Sequence, residues 1–209
     1  MSKTQRISIP FESLDPLTIG SCDDPSMVYR EHIEIEIAER NLLAVIEPNE
    51  PASLPDVTEA AAQALENPQS GRRFSEMIGA DKSLAIIIDN QFRPTPASKI
   101  LPAILDAVEK HGVKDARVVC ANGKVFTMSE SDTEKKLGRE NMARMERLGI
   151  PFFQNEPREE DMYSFVGIST RGTPVWLHKE VAKSDVKLSV GQTQSNHWGA
   201  GGGGKLILP

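Results

Sequence analysis

The sequence predicts an α/β fold with a mostly parallel sheet flanked by helices. Two apolar runs, residues 84–88 and 116–121, lack the alternation of a half-exposed strand, which is typical of strands buried on both faces. Between them, residues 98–110 place apolar side chains on one helical face. Strands that alternate with helices in this way are typical of βαβ units, whose strands pair in parallel.

The part of the chain before residue 84 predicts short strands and a helix. Residues 33–37 alternate isoleucine with glutamate, and residues 42–46 are a short apolar run, so both are predicted to be strands. A stiff, proline-rich linker follows at residues 48–55. Asp56 can then cap a helix over residues 57–65.

The alternation of strand and helix continues after residue 121. Ser129 can cap a charged helix over residues 130–148, which a glycine interrupts. Residues 151–153 are predicted to form a short strand, residues 174–182 a helix, and residues 186–190 the last strand.

The composition excludes several classes of protein. The chain has 24 Lys and Arg against 30 Asp and Glu, a net charge of −6, which argues against a nucleic-acid partner. It contains neither an apolar run long enough for a transmembrane helix nor the apolar core of a signal peptide. Cys22 and Cys120 form neither a CxxC motif nor a disulfide framework. We therefore expect a cytoplasmic protein without membrane or nucleic-acid partners.

Unusual segments follow three of the predicted strands, at residues 89–96, 122–129 and 191–205. In parallel sheets, ligands bind at the carboxyl ends of the strands. Because these ends share one edge of the sheet, we expect the three segments to lie together and to form a ligand site.

The first of these segments contains Asn90 and Arg93, with prolines at 94 and 96 that stiffen the loop. A guanidinium held in place suits a carboxylate or a phosphate, because its donors match two oxygens at once. The alternative is a structural pair between Arg93 and an aspartate that fixes the loop.

The last segment contains Gly201 to Gly204 followed by Lys205, with His197 just upstream. Gly199-x-x-x-x-Gly204-Lys205 fits most of the phosphate-loop spacing, but Leu206 replaces the hydroxyl residue that holds magnesium. Glycine amides could still bind a phosphate, and the alternative is a flexible tail. His197 could exchange a proton near neutral pH, although a lone histidine is more often structural. No pair of histidines has metal-ligand spacing, so the sequence predicts no metal site.

Several segments together carry a resemblance to a known family. They are Asn41-Leu42 to Pro55, Asn90-Gln91-Phe92-Arg93-Pro94-Thr95-Pro96, Gly123-Lys124-Val125-Phe126-Thr127-Met128-Ser129, Gly172-Thr173-Pro174-Val175, and Gln194 to Pro209. In order and spacing they resemble the lactate racemase family of nickel-dependent 2-hydroxyacid racemases and epimerases. The resemblance covers most of the chain. It implies that residues 1–209 are a single N-terminal domain of a two-domain enzyme, whose C-terminal domain is absent.

The resemblance also implies a cofactor and a substrate. The family's cofactor is a nickel-pincer nucleotide, pyridinium-3,5-dithiocarboxylic acid mononucleotide with nickel, which a loop lysine holds through a thioamide. Lys205 is the matching lysine, and Gly202, Gly203 and Gly204 are the cofactor-binding residues beside it. The implied substrate is a small anionic 2-hydroxy acid, bound by Arg93 and Asn90.

The family's catalytic residues match this chain less well. Val125 and Phe126 stand where the family has histidine and arginine, and valine cannot transfer protons. Lys124 is the candidate substitute base. Counting back from Lys205 places the family's second catalytic histidine at Ser195, and counting forward from Gly191 places it at Asn196; the nearby His197 is the candidate, through an insertion or deletion of one or two residues. The alternative is a non-catalytic anion- or nucleotide-binding domain of the same fold. We expect the isolated chain to be inactive, and a domain without its partner to expose an apolar patch that favours a homo-oligomer.

Overall fold

The structure, a computed structural model, describes residues 3–11, 31–46, 52–93, 95–123 and 126–191. Its strands are β1 (Thr4–Phe11), β2 (Glu31–Ala38), β3 (Ser83–Asp89), β4 (Asp115–Ala121), β5 (Phe152–Gln154), β6 (Tyr163–Ile168), β7 (Pro174–His178) and β8 (Val186–Val190). Its α-helices are α1 (Val57–Glu66), α2 (Ala97–Lys110), α3 (Glu130–Leu137), α4 (Arg139–Arg147) and α5 (Lys179–Ala182).

The centre of the fold is a four-stranded sheet in the order β5-β4-β3-β8, in which every neighbouring pair is parallel. β3 and β4 occupy the middle, and their apolar side chains are buried on both faces. The predicted α/β class with a mostly parallel sheet is therefore confirmed. The strands predicted at residues 84–88, 116–121 and 186–190 are confirmed as well.

The two faces of this sheet are covered by different helices. Alternate residues of β3, such as Ile86 and Ile88, pack in the main core with Leu101, Leu105 and other residues of α2. The intervening residue Ile87 lies on the opposite face, in a smaller cluster that includes Val181 of α5. This alternation follows from the strand geometry, in which successive side chains point to opposite faces.

Proline at position 102 lies inside α2 and cannot donate the helical hydrogen bond to the carbonyl oxygen of Ser98. The side-chain amide of Asn141 in α4 supplies that bond instead, with Nδ2 2.7 Å from the Ser98 oxygen. Gly138 allows this approach, because a Cβ there would lie 3.3 Å from the Ser98 Cβ and its φ of +82° suits glycine. The predicted helix 130–148 is thus divided into α3 and α4 at this glycine.

Besides the central sheet there are two antiparallel two-stranded sheets, β1–β2 and β6–β7. The strand predicted at residues 33–37 is confirmed within β2, and the helix predicted at 57–65 is confirmed as α1, with Asp56 accepting a bond from the Glu59 amide at 2.9 Å. No helix in the described part of the chain is long and apolar enough to cross a bilayer.

Two of the predicted elements are wrong. The run 42–46 is not a strand; it follows a 3₁₀ turn at Glu39–Asn41, and Leu43 and Ile46 are exposed. An apolar run forms a strand only where a partner strand accepts its backbone hydrogen bonds, and 42–46 has none among the described residues. The helix predicted at 174–182 begins only at Lys179, because residues 174–178 pair with β6 as β7.

Candidate ligand site at the carboxyl edge of the sheet

The predicted ligand segments begin side by side at one edge of the sheet. Asp89 at the end of β3 is opposite Ala121 at the end of β4, and Ile88 is opposite Val190 at the end of β8. The loops after β3 and β4 are joined by a hydrogen bond from Asn90 Nδ2 to the carbonyl oxygen of Asn122, at 3.3 Å. The expectation that these two loops lie together is therefore confirmed. Residues 192–209, which contain the rest of the third segment, lie outside the described residues.

An asparagine follows each of three adjacent strands: Asn90 after β3, Asn122 after β4 and Asn155 after β5, and all three are buried. Asn122 Nδ2 donates to the Asn155 carbonyl at 3.1 Å, and Asn155 Nδ2 donates to the Gly123 carbonyl at 3.4 Å. With the bond from Asn90, these amides tie each loop to its neighbour. Sequence reasoning proposed a role for Asn90 alone; the signal for the others is an asparagine directly after each parallel strand.

The side chain of Asn90 shapes its own loop. Its Oδ1 accepts from the Phe92 amide at 3.1 Å, and its carbonyl oxygen accepts from the Arg93 amide at 3.1 Å. This is an Asx-type turn, in which a side chain takes the place of a backbone acceptor. Because both polar groups of the buried side chain are bonded within the protein, direct contact between Asn90 and a substrate stays a prediction.

Arg93 extends an exposed side chain from this loop. Among the described residues no carboxylate pairs with its guanidinium, and Asp89, the nearest aspartate in sequence, pairs with Lys136 instead. The described contacts therefore do not support the alternative of a structural Arg93–aspartate pair. They favour an Arg93 that is open to an anionic ligand.

Lys136 is a buried residue of this edge that sequence reasoning missed. Its side chain is 0% exposed, although it lies in the polar sequence of α3. Its ammonium lies 2.7 Å from Asp89 Oδ1 and donates to the carbonyl oxygens of Arg93 and Thr95, at 3.0 and 3.1 Å. The Thr95 hydroxyl donates to the other oxygen of Asp89. The sequence signal is its spacing with Thr133 and Leu137, since positions i, i+3 and i+4 share one face of a helix.

The loop after β4 is held by the side chain of Gln154 in β5. Its Oε1 accepts from the Met128 amide at 2.6 Å, and its Nε2 donates to the Met128 carbonyl at 3.0 Å. The next residue, Ser129, then begins α3 with a capping box that it shares with Asp132. The predicted Ser129 cap is thus confirmed. Phe92 in the first loop and Phe126 in the second are exposed, at 41% and 77%.

Tyr163 and His178 extend the hydrogen-bonded network onto the β6–β7 hairpin. The Tyr163 hydroxyl donates to Asn155 Oδ1 at 2.8 Å, and burial raises the pKa of Tyr163. The two rings pack edge to face, with centroids 6.5 Å apart. Burial lowers the pKa of His178 below its usual 6.5, and its Nδ1 accepts from the Glu180 amide at 3.2 Å. His178 is therefore neutral near pH 7.

We expect stability to fall as the pH drops below about 6.5, because the unfolded chain then protonates His178 more readily than the folded one. Above that pH both states hold the neutral ring, so the contribution is fully present. Urea denaturation at about pH 7.5 and about pH 5.5 measures it, well above the range where Glu66 and Asp185 titrate. His178→Asn keeps an acceptor for the Glu180 amide, and this variant should lose less stability between these two pH values than the wild type. An equal loss in the variant would show that another group causes the pH dependence.

The remaining predicted site residues lie outside the described residues. They are Lys124, His197, Gly202, Gly203, Gly204 and Lys205. Their roles stay predictions. Within the described ranges, no group of three or more His, Cys, Asp or Glu side chains is placed to hold a metal ion.

The amino-acid sequence places this fold in a known class of protein. The family model described as the lactate racemase N-terminal domain matches residues 29–209, and the chain belongs to that family.

Similar proteins share both sequence and fold with this chain. A lactate racemase of Thermoanaerobacterium thermosaccharolyticum is 25% identical over 149 residues, which are 70% of this chain and 34% of that protein. The structure of the lactate racemase apoprotein from the same organism matches with a TM-score of 0.67 at 17% identity, over 88% of this chain and 38% of that one. A Thermotoga maritima protein matches with a TM-score of 0.54 at 20% identity, over 73% and 37%. The chain thus spans little more than a third of the length of these relatives.

Proposed function

We propose that this chain is the N-terminal part of a racemase or epimerase that acts on a small anionic 2-hydroxy acid. The observation that carries the proposal is that Arg93 has a held backbone and an exposed side chain. Its backbone is held at the carboxyl edge of the sheet while its guanidinium is exposed and has no carboxylate partner among the described residues. A guanidinium in this setting can bind a substrate carboxylate with two hydrogen bonds. Membership of the lactate racemase N-terminal domain family supports the reaction class.

The residues near Arg93 indicate what kind of substituent the 2-hydroxy acid carries. Phe92 and Phe126 are exposed in the two loops that meet at this edge, and Val125 precedes Phe126 in the sequence. We infer a more apolar wall than a histidine and an arginine would form at positions 125 and 126. Apolar surface of this kind favours an acid with an apolar substituent.

We propose that a nickel-pincer nucleotide is bound through Lys205, next to the backbone amides of Gly202, Gly203 and Gly204. The donor fits chemically, because a thioamide link needs a primary amine and Lys205 supplies one. When bound, such a group would supply hydride-transfer chemistry at the substrate carbon. The chain's own residues would hold the carboxylate at Arg93 and move the hydroxyl proton at the imidazole of His197 and at Nζ of Lys124.

The relatives are longer than this chain, which covers 34% of one and 38% of the other. The proposed activity also needs the region that lies outside this match. We propose that a C-terminal domain like theirs closes the site and completes it. The sequence of the gene beyond codon 209 tests this directly. A continuing reading frame with a further domain would support the proposal, and a stop codon there would contradict it.

Replacing Arg93 with methionine should weaken L-lactate binding about tenfold or more, because a charge-assisted, bidentate contact is lost. An NMR titration of the 209-residue chain measures the affinity. Arg93→Lys should lose part of the affinity, since an ammonium cannot match two oxygens in one plane. The exposed Arg158→Met is the matched control and should bind like the wild type. An unchanged affinity in Arg93→Met would remove the basis of the proposal.

The second candidate is a non-catalytic binding domain of the same fold. It is favoured by Val125, which stands where the family has a histidine and offers no group for proton transfer. Both candidates bind the acid at Arg93, but only the first interconverts its enantiomers. To distinguish the two candidates, L-lactate and bulkier 2-hydroxy acids are incubated with the cofactor-loaded protein and their enantiomers are measured by chiral chromatography. Binding without interconversion of the enantiomers supports the non-catalytic binding domain.

A further inference from the structure

A fully buried lysine needs a physical explanation, because an ammonium removed from water is costly unless charge and hydrogen bonds replace the water. Lys136 has three N–H donors. Two of them are donated to the carbonyl oxygens of Arg93 and Thr95, at 3.0 and 3.1 Å, and the ammonium forms an ion pair with Asp89 Oδ1 at 2.7 Å. The carboxylate neutralises the charge, and the two carbonyl oxygens belong to the loop that carries Arg93.

The Arg93 peptide is held from both sides by these contacts. Its N–H donates to the Asn90 carbonyl at 3.1 Å, and its C=O accepts from Lys136 at 3.0 Å. Thr95 is held as well, since its carbonyl accepts from Lys136 and its hydroxyl donates to Asp89. The backbone of Arg93 is therefore held by hydrogen bonds, although its guanidinium is exposed.

Lys136 lies in a helix whose first turn is held by hydrogen bonds. α3 begins with the capping box of Ser129 and buries Thr133 and Leu137 beside Lys136. The residue before the cap, Met128, is held by Gln154 of β5. The ammonium thus joins the loop after β3 to a helix whose start is fixed by β5.

We propose that Lys136 and Asp89 are positioning residues that hold the loop of Arg93 in the conformation that binds the anion. Neither residue needs to touch the ligand; both act through the main chain on each side of position 94. The proposal rests on the proposed function in one respect, since it takes Arg93 as the anion-binding group.

The test is the double variant Lys136→Met/Asp89→Asn in the 209-residue chain. It removes both charges together, so no unpaired charge remains buried, and asparagine still offers an acceptor to the Thr95 hydroxyl. We expect L-lactate binding to weaken about tenfold, because small displacements of a binding group carry costs of this order. Amide hydrogen exchange at Arg93 should become faster in the absence of ligand.

Two controls separate positioning from general destabilisation. Lys135→Met makes the same change at an exposed neighbour, and Val108→Ala lowers stability from the core, near the end of α2 that is opposite the loop. Both should keep the wild-type affinity and the wild-type exchange at Arg93. If the double variant does not fold, Thr95→Val, which removes only the hydroxyl bound to Asp89, should weaken binding about two- to fivefold.

The outcomes distinguish this inference from the proposed function. A folded double variant with wild-type affinity and wild-type exchange at Arg93 would overturn the positioning role and leave the proposed function intact. A wild-type chain that does not bind L-lactate would overturn the anion site, and exchange at Arg93 would then decide the positioning role alone. Faster exchange in the double variant but not in Lys135→Met supports it, and equal exchange rejects it.

Discussion

Replacing Lys136 with methionine is expected to lower the free energy of unfolding by about 3–5 kcal/mol, the usual cost of removing one partner of a buried ion pair. Methionine fills a similar volume, but it leaves the Asp89 carboxylate buried beside a single hydroxyl donor. The carbonyl oxygens of Arg93 and Thr95 also lose their shared donor. Urea denaturation, followed by circular dichroism, measures the change.

The double variant with Asp89→Asn should recover much of this loss, because the buried charge is removed together with its partner. The exposed Lys135→Met should stay within about 0.5 kcal/mol of the wild type. A Lys136→Met protein as stable as the wild type would show that the ion pair contributes nothing, and would argue that Asp89 finds another donor in solution.

Replacing Lys205 with alanine is expected to abolish covalent attachment of the nickel-pincer nucleotide. The effect should be all or none, because the proposed thioamide needs the lysine amine and alanine has no nucleophile. Intact-protein mass spectrometry measures it, on protein from a host that makes the cofactor and is supplied with nickel. The wild type should carry the mass of the group, and Lys205→Ala should carry none.

The exposed Lys183→Ala is the matched control and should retain the added mass. An adduct that survives Lys205→Ala would place the attachment at another residue. A wild-type protein without any adduct would contradict the tether and favour the non-catalytic binding domain. Neither result depends on activity, so covalent attachment at Lys205 can be tested before a substrate is known.

The central sheet could be predicted because its signals are local. The residues of β3 and β4 are apolar on both faces, which only a covered parallel sheet tolerates. Helix starts could be predicted for the same reason, since Asp56 and Ser129 each cap a helix through atoms three residues away.

The two-stranded sheets were harder to predict, because their strands form only as pairs. β1 and β6 were not predicted, yet each has a partner in β2 or β7 with which it exchanges backbone hydrogen bonds. The equally apolar run 42–46 has no such partner among the described residues and is not a strand. Propensity over a few residues does not decide between these outcomes.

The sequence by itself determined which loops meet at the carboxyl edge of the sheet and which polar residues they carry. Loops with an arginine, asparagines and glycines follow the strands, and parallel strands bring their carboxyl ends to one edge. Only the tertiary structure decided which cation neutralises Asp89. Asp89 and Arg93 are only four positions apart along the chain, but α3 brings Lys136 to within 2.7 Å of the carboxylate. The reason is that an ion pair depends on distance in space and on burial, which the packing of α3 sets and sequence order does not.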